Sequence, residues 1–308
     1  MHNKAMIIIL LKNGGKYMIK AAIVGFGNIG KAVFEAISKS KDFTLECIVA
    51  RKEIKADVPV LKNISDLKDI DVAILCLPSR SIPDIASSLL EKGISTVDSY
   101  DIHSNIPAMR FDLDKIAKEN NCVSITAAGW DPGSDSVIRA LMMAMLPKGI
   151  TYTNFGPGMS MGHTVAVKAI SGVKDALSMT IPLGSGVHRR MVYVELEQGA
   201  DFDTVSKSIR EDDYFIHDET HVIQVDNVDL LKDVGHGVSL SRKGVSGTSD
   251  NQRIDFKMSI NNPALTGQIL VSSARAAMKQ KPGCYTMIEI PPIDFLDGDT
   301  DEIIRNLV

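Results

Sequence analysis

The chain has 308 residues, 44% of them hydrophobic, with 34 Lys and Arg against 38 Asp and Glu, for a formal net charge of −4. That length suffices for two compact lobes, and the balanced, scattered charge argues against a nucleic-acid-binding face. Cys47, Cys76, Cys122 and Cys284 stand at no zinc or redox spacing and read as buried thiols of a protein kept in a reducing cytoplasm. The seven histidines share no ligand spacing, so no metal site is expected. The apolar run Met6 to Leu11 is far shorter than the roughly 20 residues that span a bilayer, and no small-residue cleavage site follows it. Residues 1–17 are therefore set aside as an N-terminal extension before Met18.

From Ile19 short apolar runs alternate with helical periods, the pattern of a parallel sheet covered by helices. Strands are expected at Ile19 to Val24, Thr44 to Ala50, Val72 to Leu77, Ser95 to Val97 and Cys122 to Thr126. Helices are expected at Asn28 to Lys39, Arg80 to Glu91 and Asn105 to Glu119. After about residue 150 the runs lengthen and alternate: Ser178 to Pro182, Val187 to Glu197, Val222 to Val225, Val238 to Lys243 and Arg253 to Asn261. Ile254, Phe256, Met258 and Ile260 take every second place, so one face of that strand should be buried and the other wetted. Pro263 opens a helix to Lys279, and Tyr285 to Ile290 reads as a last strand returning to the first lobe. The fold class is thus α/β, a Rossmann-type doubly wound parallel sheet plus a second α+β lobe with a mixed or antiparallel sheet.

Gly25-Phe26-Gly27-Asn28-Ile29-Gly30 follows the first strand and opens the first helix. In that context Gly25 permits the tight turn, Gly27 the approach of backbone to a pyrophosphate, and Gly30 close helix–strand packing, with Asn28 and Ile29 at the helix N-terminus. An NAD site would place Asp or Glu at the end of the second strand, about 20 residues further on. Here that strand ends in Arg51-Lys52, which favours a 2′-phosphate and hence NADP; a solvated basic pair is the plainer alternative. Ser79, in the turn after the third strand, suits either a cofactor contact or a helix cap.

Two carboxylate-bearing turns follow strands of the same sheet: Asp98-Ser99-Tyr100-Asp101 and Trp130-Asp131-Pro132-Gly133. Asp101 and Asp131 could grip a cationic amine there, or serve only as turn residues and caps. Trp130, the only tryptophan, could wall a pocket or pack in a core. The stretch from Asn154 to His163 looks too glycine-rich for the interior of a strand or helix. Its amides could bind a carboxylate, though a plain loop also explains the glycines. In the second lobe Arg189 should face water and Arg190 the opposite side, where it could hold a carboxylate. His236, between glycines, is either a donor to substrate or a turn residue.

Together the glycine fingerprint, Arg51-Lys52, Val-Asp-Ser-Tyr-Asp, Gly-Trp-Asp-Pro-Gly, Phe-Gly-Pro-Gly-Met-Ser-Met-Gly-His, Gly-His-Gly and Asn261-Asn262-Pro263 resemble meso-diaminopimelate dehydrogenases from Met18 to the C-terminus. The resemblance implies a homodimer of soluble, cytoplasmic, NADP-dependent oxidoreductase subunits with no nucleic-acid or membrane partner. It implies reversible deamination of meso-2,6-diaminopimelate at its D-centre to L-2-amino-6-oxopimelate, in lysine metabolism, and for some members amination of 2-keto acids to D-amino acids. The compact stretch between Thr180 and His188 is similar to a shorter, thermophile-associated branch. The implied domains are 18–130 for the dinucleotide, with a return at approximately 263–308, and 131–262 for substrate and dimerisation. Asp101 and Asp131 resemble the carboxylates beside the reacting amine, with Asp131 favoured over His163 as a base. Trp130, Phe155, Met161 and Gly162 resemble residues that shape that end, and Thr180, Arg190, His236 and Asn262 those that hold the distal L-centre.

Overall fold

The computed structural model describes residues 18–232 and 235–308. The expected N-terminal extension, residues 1–17, lies outside them. The chain divides into two compact units, one running up to Val137 and again from Pro263 to Val308, the other Ile138–Asn262.

The first unit holds a seven-stranded, all-parallel sheet: β1 (Ile19–Val24), β2 (Phe43–Val49), β3 (Val60–Leu61), β4 (Val72–Leu75), β5 (Ser95–Asp98), β6 (Val123–Ile125) and β14 (Gly283–Tyr285). Its spatial order is β14-β6-β5-β4-β1-β2-β3, so the order reverses between β1 and β4. In open α/β sheets that reversal leaves a crevice outside the carboxyl ends of the strands, where ligands bind. The central strands are buried on both faces, which is why they read as continuous apolar runs without alternation.

Helices cover each face. Val33 and Ile37 of α1 (Asn28–Lys39) share one core with Leu270, Val271, Ala274 and Ala277 of α7 (Asn262–Ala277). Ala86, Leu89 and Leu90 of α2 (Ile82–Leu90) and Met109, Leu113 and Ala117 of α3 (Ile106–Glu119) fill the other. Pro83 and Pro107 stand in the first turns of α2 and α3, where a missing N–H costs nothing and the fixed φ suits a helix.

The second unit contains two sheets. The mixed one runs β11-β10-β9-β8, from β8 (Gly158–Met159), β9 (Val173–Gly184), β10 (Val187–Leu196) and β11 (Glu219–Gln224). β9 and β10 are antiparallel, and β10 and β11 parallel. The antiparallel one joins β13 (Ser249–Asn261), β12 (Gly235–Ser246) and β7 (Lys148–Phe155). α5 (Met161–Lys168) and α6 (Phe202–Glu211) pack on the mixed sheet through Ala166, Val167, Val205 and Ile209, against Val192 and Val194. Asp201 caps α6 by accepting from Thr204 N–H at 2.9 Å. The period of two in β13 is present, but Ile254, Phe256, Met258 and Ile260 are only half-buried within the single chain.

Two expectations need correction, and some helices were not foreseen. The last strand is Gly283–Tyr285, not Tyr285 to Ile290. Met287–Glu289 forms a 3-10 turn because Thr286 and Glu289 close a reciprocal capping box that favours helical backbone despite the apolar residues between them. The stretch from Asn154 to His163 is not a loop throughout: it ends β7, forms β8 and opens α5. Its glycines permit close approach of strands, since a Cβ on Gly158 (φ +150°) would lie 2.0 Å from the Gly235 carbonyl oxygen. Among its amides, Gly156 N–H is already bonded to Gly237 O at 2.9 Å and Ser160 N–H to Ser178 O at 2.8 Å. Finally, α4 (Ser134–Met145), α6 and α8 (Thr300–Leu307) were not anticipated.

Candidate active site

In the first unit Gly25 takes φ +94°, and a Cβ there would meet the Cys76 carbonyl oxygen at 2.4 Å. A Cβ on Gly30 would lie 2.2 Å from the Gly25 carbonyl oxygen, so helix and turn pack as the fingerprint requires. Gly27 differs: it caps α1 without a side-chain hydrogen bond, and nothing lies within 4 Å of where its Cβ would be. Open space over unbonded helical amides is what a pyrophosphate needs. Gly27 and Asn28 are exposed there, and Ile29 is half-buried.

Arg51 and Lys52 follow β2, both exposed and neither ion-paired within the described residues. No carboxylate stands at the strand end to receive ribose hydroxyls; Glu53 follows instead, also exposed. The residues present thus fit a dinucleotide carrying a further phosphate on its adenosine ribose. Ser79 is half-buried and its hydroxyl donates to Asp101 Oδ1 at 2.6 Å, while Asp101 N–H donates back to it at 3.2 Å. The serine therefore ties the turn after β4 to the turn after β5.

Asp101 and Asp131 are both half-buried, each a few residues past a strand of the same sheet. Trp130 is 6% exposed, so its ring serves the core as well as any pocket wall. Gly133 N–H donates to Ser136 Oγ and Asp135 N–H to the Trp130 carbonyl at 3.0 Å, which fastens the Asp131 turn to the start of α4. A carboxylate the sequence reading gave no role, Asp98, ends β5 wholly buried and accepts from Tyr100, Thr126 and Ala127. Burial pushes its pKa up to about 6, against the lowering effect of those hydrogen bonds. A carboxylate closing an apolar strand was the available signal.

The second unit gathers cationic and polar groups. Arg190 and Thr180 are cross-strand partners on β10 and β9, and the Arg190 Nη1 donates to the Thr180 hydroxyl, which keeps its own proton to give. Arg190 Nε also bonds Asp218 Oδ2 at 2.6 Å, with the arginine side chain 12% exposed. Arg189 faces the other way, as the period of two requires, and pairs with Glu219. Asp218 is a fixing residue that sequence reasoning missed, since it lies 28 positions away with no local signal.

Near Arg190, His163 Nδ1 and the Ser160 hydroxyl are 2.8 Å apart, and the ring meets Tyr214 and Phe215 edge-on at 5.3 and 5.2 Å. Burial, then the charge of Arg190 and the proximity of His236, push the His163 pKa down to about 3 despite a hydrogen bond involving the Tyr214 backbone. A neutral imidazole leaves the guanidinium charge of Arg190 unopposed by a second cation. His236 (6% exposed, β12) and Asn262 (9%, opening α7) are buried polar residues of the same unit. Met161 and Gly162 form the first turn of α5, half-buried. Phe155 N–H donates to His188 Nε2 at 2.7 Å, and its ring lies 5.8 Å from the Arg139 guanidinium carbon. Among the described residues no group of three His, Cys, Asp or Glu is placed to hold a metal ion.

A doubly wound sheet with an open glycine turn at its reversal, carboxylates at neighbouring strand ends and a second unit bearing a braced arginine define a dinucleotide-fold oxidoreductase. Residues 129–189 match the diaminopimelic acid dehydrogenase C-terminal domain family, and residues 16–99 a CoA binding domain family. The chain is 58% identical to the meso-diaminopimelate D-dehydrogenase of Bacteroides fragilis, over 94% of this chain and 99% of that one. It is 33% identical to the enzyme of that name from Ureibacillus thermosphaericus, over 89% and 94%. It belongs to the meso-diaminopimelate D-dehydrogenase family.

Among solved structures, the Corynebacterium glutamicum DAP dehydrogenase in complex with DAP superposes with a TM-score of 0.86 at 29% identity, covering 94% of this chain and 99% of that one. An engineered D-amino acid dehydrogenase bound to NADP+ gives the same TM-score at 28% identity, covering 94% and 100%. A dihydrodipicolinate reductase at 14% identity and TM-score 0.52 shares the fold alone.

Proposed function

We propose that the chain catalyses the reversible NADP-dependent oxidative deamination of meso-2,6-diaminopimelate at its D-centre, giving L-2-amino-6-oxopimelate and ammonia. The observation that carries this reading is the near end-to-end match at 58% identity to a relative of that name. The reverse reaction, with other 2-keto acids, would yield D-amino acids.

When bound, the nicotinamide supplies the hydride acceptor. Gly25, Gly27 and Gly30, with the amides at Asn28 and Ile29, hold the pyrophosphate, and Arg51 and Lys52 the 2′-phosphate. Asp101 and Asp131 bind the D-centre nitrogen and stabilise the positive charge that grows there as the carbon–nitrogen bond gains double-bond character. Ser79 orients Asp101. Trp130, Phe155, Met161 and Gly162 shape that end, where one water adds to the oxidised carbon so that nitrogen leaves as ammonia and oxygen stays as the oxo group. Arg190, Thr180, His236 and Asn262 grip the distal carboxylate and amine, so that only one of two chemically similar centres is presented for reaction.

The first unit is the dinucleotide domain, and the second binds substrate and dimerises. The homodimer reading draws support from Leu141, Met143, Met145 and Ile150, each more than half exposed in the single chain, and from the half-buried residues of β13. No helix of the described residues is long and apolar enough to cross a membrane, and the protein is proposed to work in the cytoplasm.

The test is reduction of NADP by purified protein given meso-, L,L- or D,D-diaminopimelate, with NAD as control. Turnover largely confined to the meso isomer with NADP supports the reading; none with any isomer overturns it. Replacing Arg51 and Lys52 together by Ala should raise KM for NADP roughly tenfold or more, from loss of charge-assisted phosphate contacts, with little effect on NAD.

A further inference from the structure

Asp98 has no surface to act on directly: the residue is wholly buried at the end of β5. What it does hold is backbone and side chain from two separate segments. Its Oδ1 accepts Tyr100 N–H at 3.0 Å, in the turn that carries Asp101. The same oxygen accepts the Thr126 hydroxyl at 2.9 Å and Ala127 N–H at 3.2 Å, where the chain leaves β6 toward Trp130 and Asp131. Its backbone carbonyl takes Ala128 N–H at 2.8 Å as well. Three donors on one oxygen call for the electron density of an ionised carboxylate rather than an amide or hydroxyl.

Oδ2, by contrast, is buried with no hydrogen-bond partner. A carboxylate placed so is costly to bury. Every side-chain hydrogen bond that Asp98 makes therefore runs through Oδ1, and that one oxygen carries both segments.

We propose that Asp98 is a positioning residue, a single buried acceptor that sets the Asp101 turn and the Trp130–Asp131 turn at a fixed spacing for the reacting amine. The inference rests on the roles proposed above for Asp101 and Asp131. Ser79 completes the arrangement by binding Asp101 from the turn after β4, so three successive strand ends are linked through these two side chains.

Three variants test it: Asp98→Ala, Asp98→Asn and Thr126→Val, the last removing one donor with little change of shape. Asp98→Ala should lower kcat by about 100-fold, the scale of a misplacement near 1 Å, while the Kd for NADPH stays within about twofold. Asp98→Asn, which keeps an acceptor, should recover part of that loss. Combined with Asp101→Asn, the loss should be clearly smaller than the product of the two single losses, because both act through the same carboxylate. A wild-type kcat in Asp98→Ala, or losses that multiply fully, overturns the proposal.

Trp130 is the only tryptophan, so its fluorescence reports the second turn without any assay of turnover. Asp98→Ala and Thr126→Val should each shift its emission to the red and increase quenching by acrylamide. Unchanged emission in both overturns the proposal. If Asp98→Ala does not fold, Thr126→Val carries the same readings. If the wild-type protein fails to turn over any diaminopimelate, the functional reading falls, whereas the emission of these variants still decides whether Asp98 fixes the turn.

Discussion

His163 illustrates how one side chain can make stability depend on acidity. Its ordinary pKa of 6.5 falls to about 3 in the folded chain, so below pH 6.5 the unfolded chain binds a proton that the folded one refuses. Stability from this group is complete above pH 6.5 and is lost as pH falls toward 3, by about 2 kcal/mol at pH 5. Asp98 works in the opposite sense: between 3.8 and about 6 the folded chain holds its proton more tightly, so this group favours folding more as pH drops. In urea titrations across pH 7 to 5, His163→Gln should lack the acid-sensitive share, and the gap between variant and wild type should narrow as pH falls. A gap that stays constant would assign the titration elsewhere. Arg190→Lys keeps a charge but loses the fork that reaches Thr180 and Asp218 together. It should raise KM for diaminopimelate roughly 10- to 100-fold with NADPH affinity unchanged, measured by steady-state kinetics and fluorescence titration.

Among the elements, β8 is only two residues long, yet Gly158 lies opposite Thr180 on β9 and against Gly235 beside His236. A Cβ at Gly158 would collide with backbone rather than with a yielding side chain. Gly158→Ala should cost about 1–3 kcal/mol of stability, read as a lower denaturation midpoint, and should raise KM for diaminopimelate more than KM for NADP. This segment also shows where sequence reading reaches its limit. β1 and α1 were legible because one apolar run, a glycine turn and a 3.6-residue period lie side by side, and local sterics alone dictate their order. The glycines at 156 and 158 acquire their purpose from Thr180, Gly235 and Gly237, which are distant in the chain and give no local periodicity. Arg190 and Thr180 were recognisable as a set only by resemblance, and Asp218 not at all, because cross-strand register is a long-range property. Asp98 was quoted within a motif, but that its single oxygen serves two segments depends on the parallel pairing of β5 with β6.

On the scale of the molecule, the last stretch of chain completes the first unit. β14 adds to the sheet beside β6, and α7 shares a core with α1 on one face. Arg275 of α7 is buried, forms a two-pronged ion pair with Asp42 just before β2, including a 3.0 Å contact from Nη2, lies over the Phe43 ring and bonds the Phe295 carbonyl. Asp42→Ala would leave that guanidinium without its carboxylate. The expected loss is about 3 kcal/mol or more, seen as a lower urea midpoint, because one member of a buried pair is costlier to keep than both. A loss within about 0.5 kcal/mol would mean that the aromatic and carbonyl contacts suffice by themselves.

That return of the chain has a consequence for biosynthesis. Synthesis proceeds from the N-terminus, so the sheet of the first unit must wait with an unpaired edge at β6 until Gly283–Tyr285 leaves the ribosome. Residues 138–262 form a continuous unit and need no such delay. The middle of the polypeptide can therefore settle while its beginning is still held open for its end.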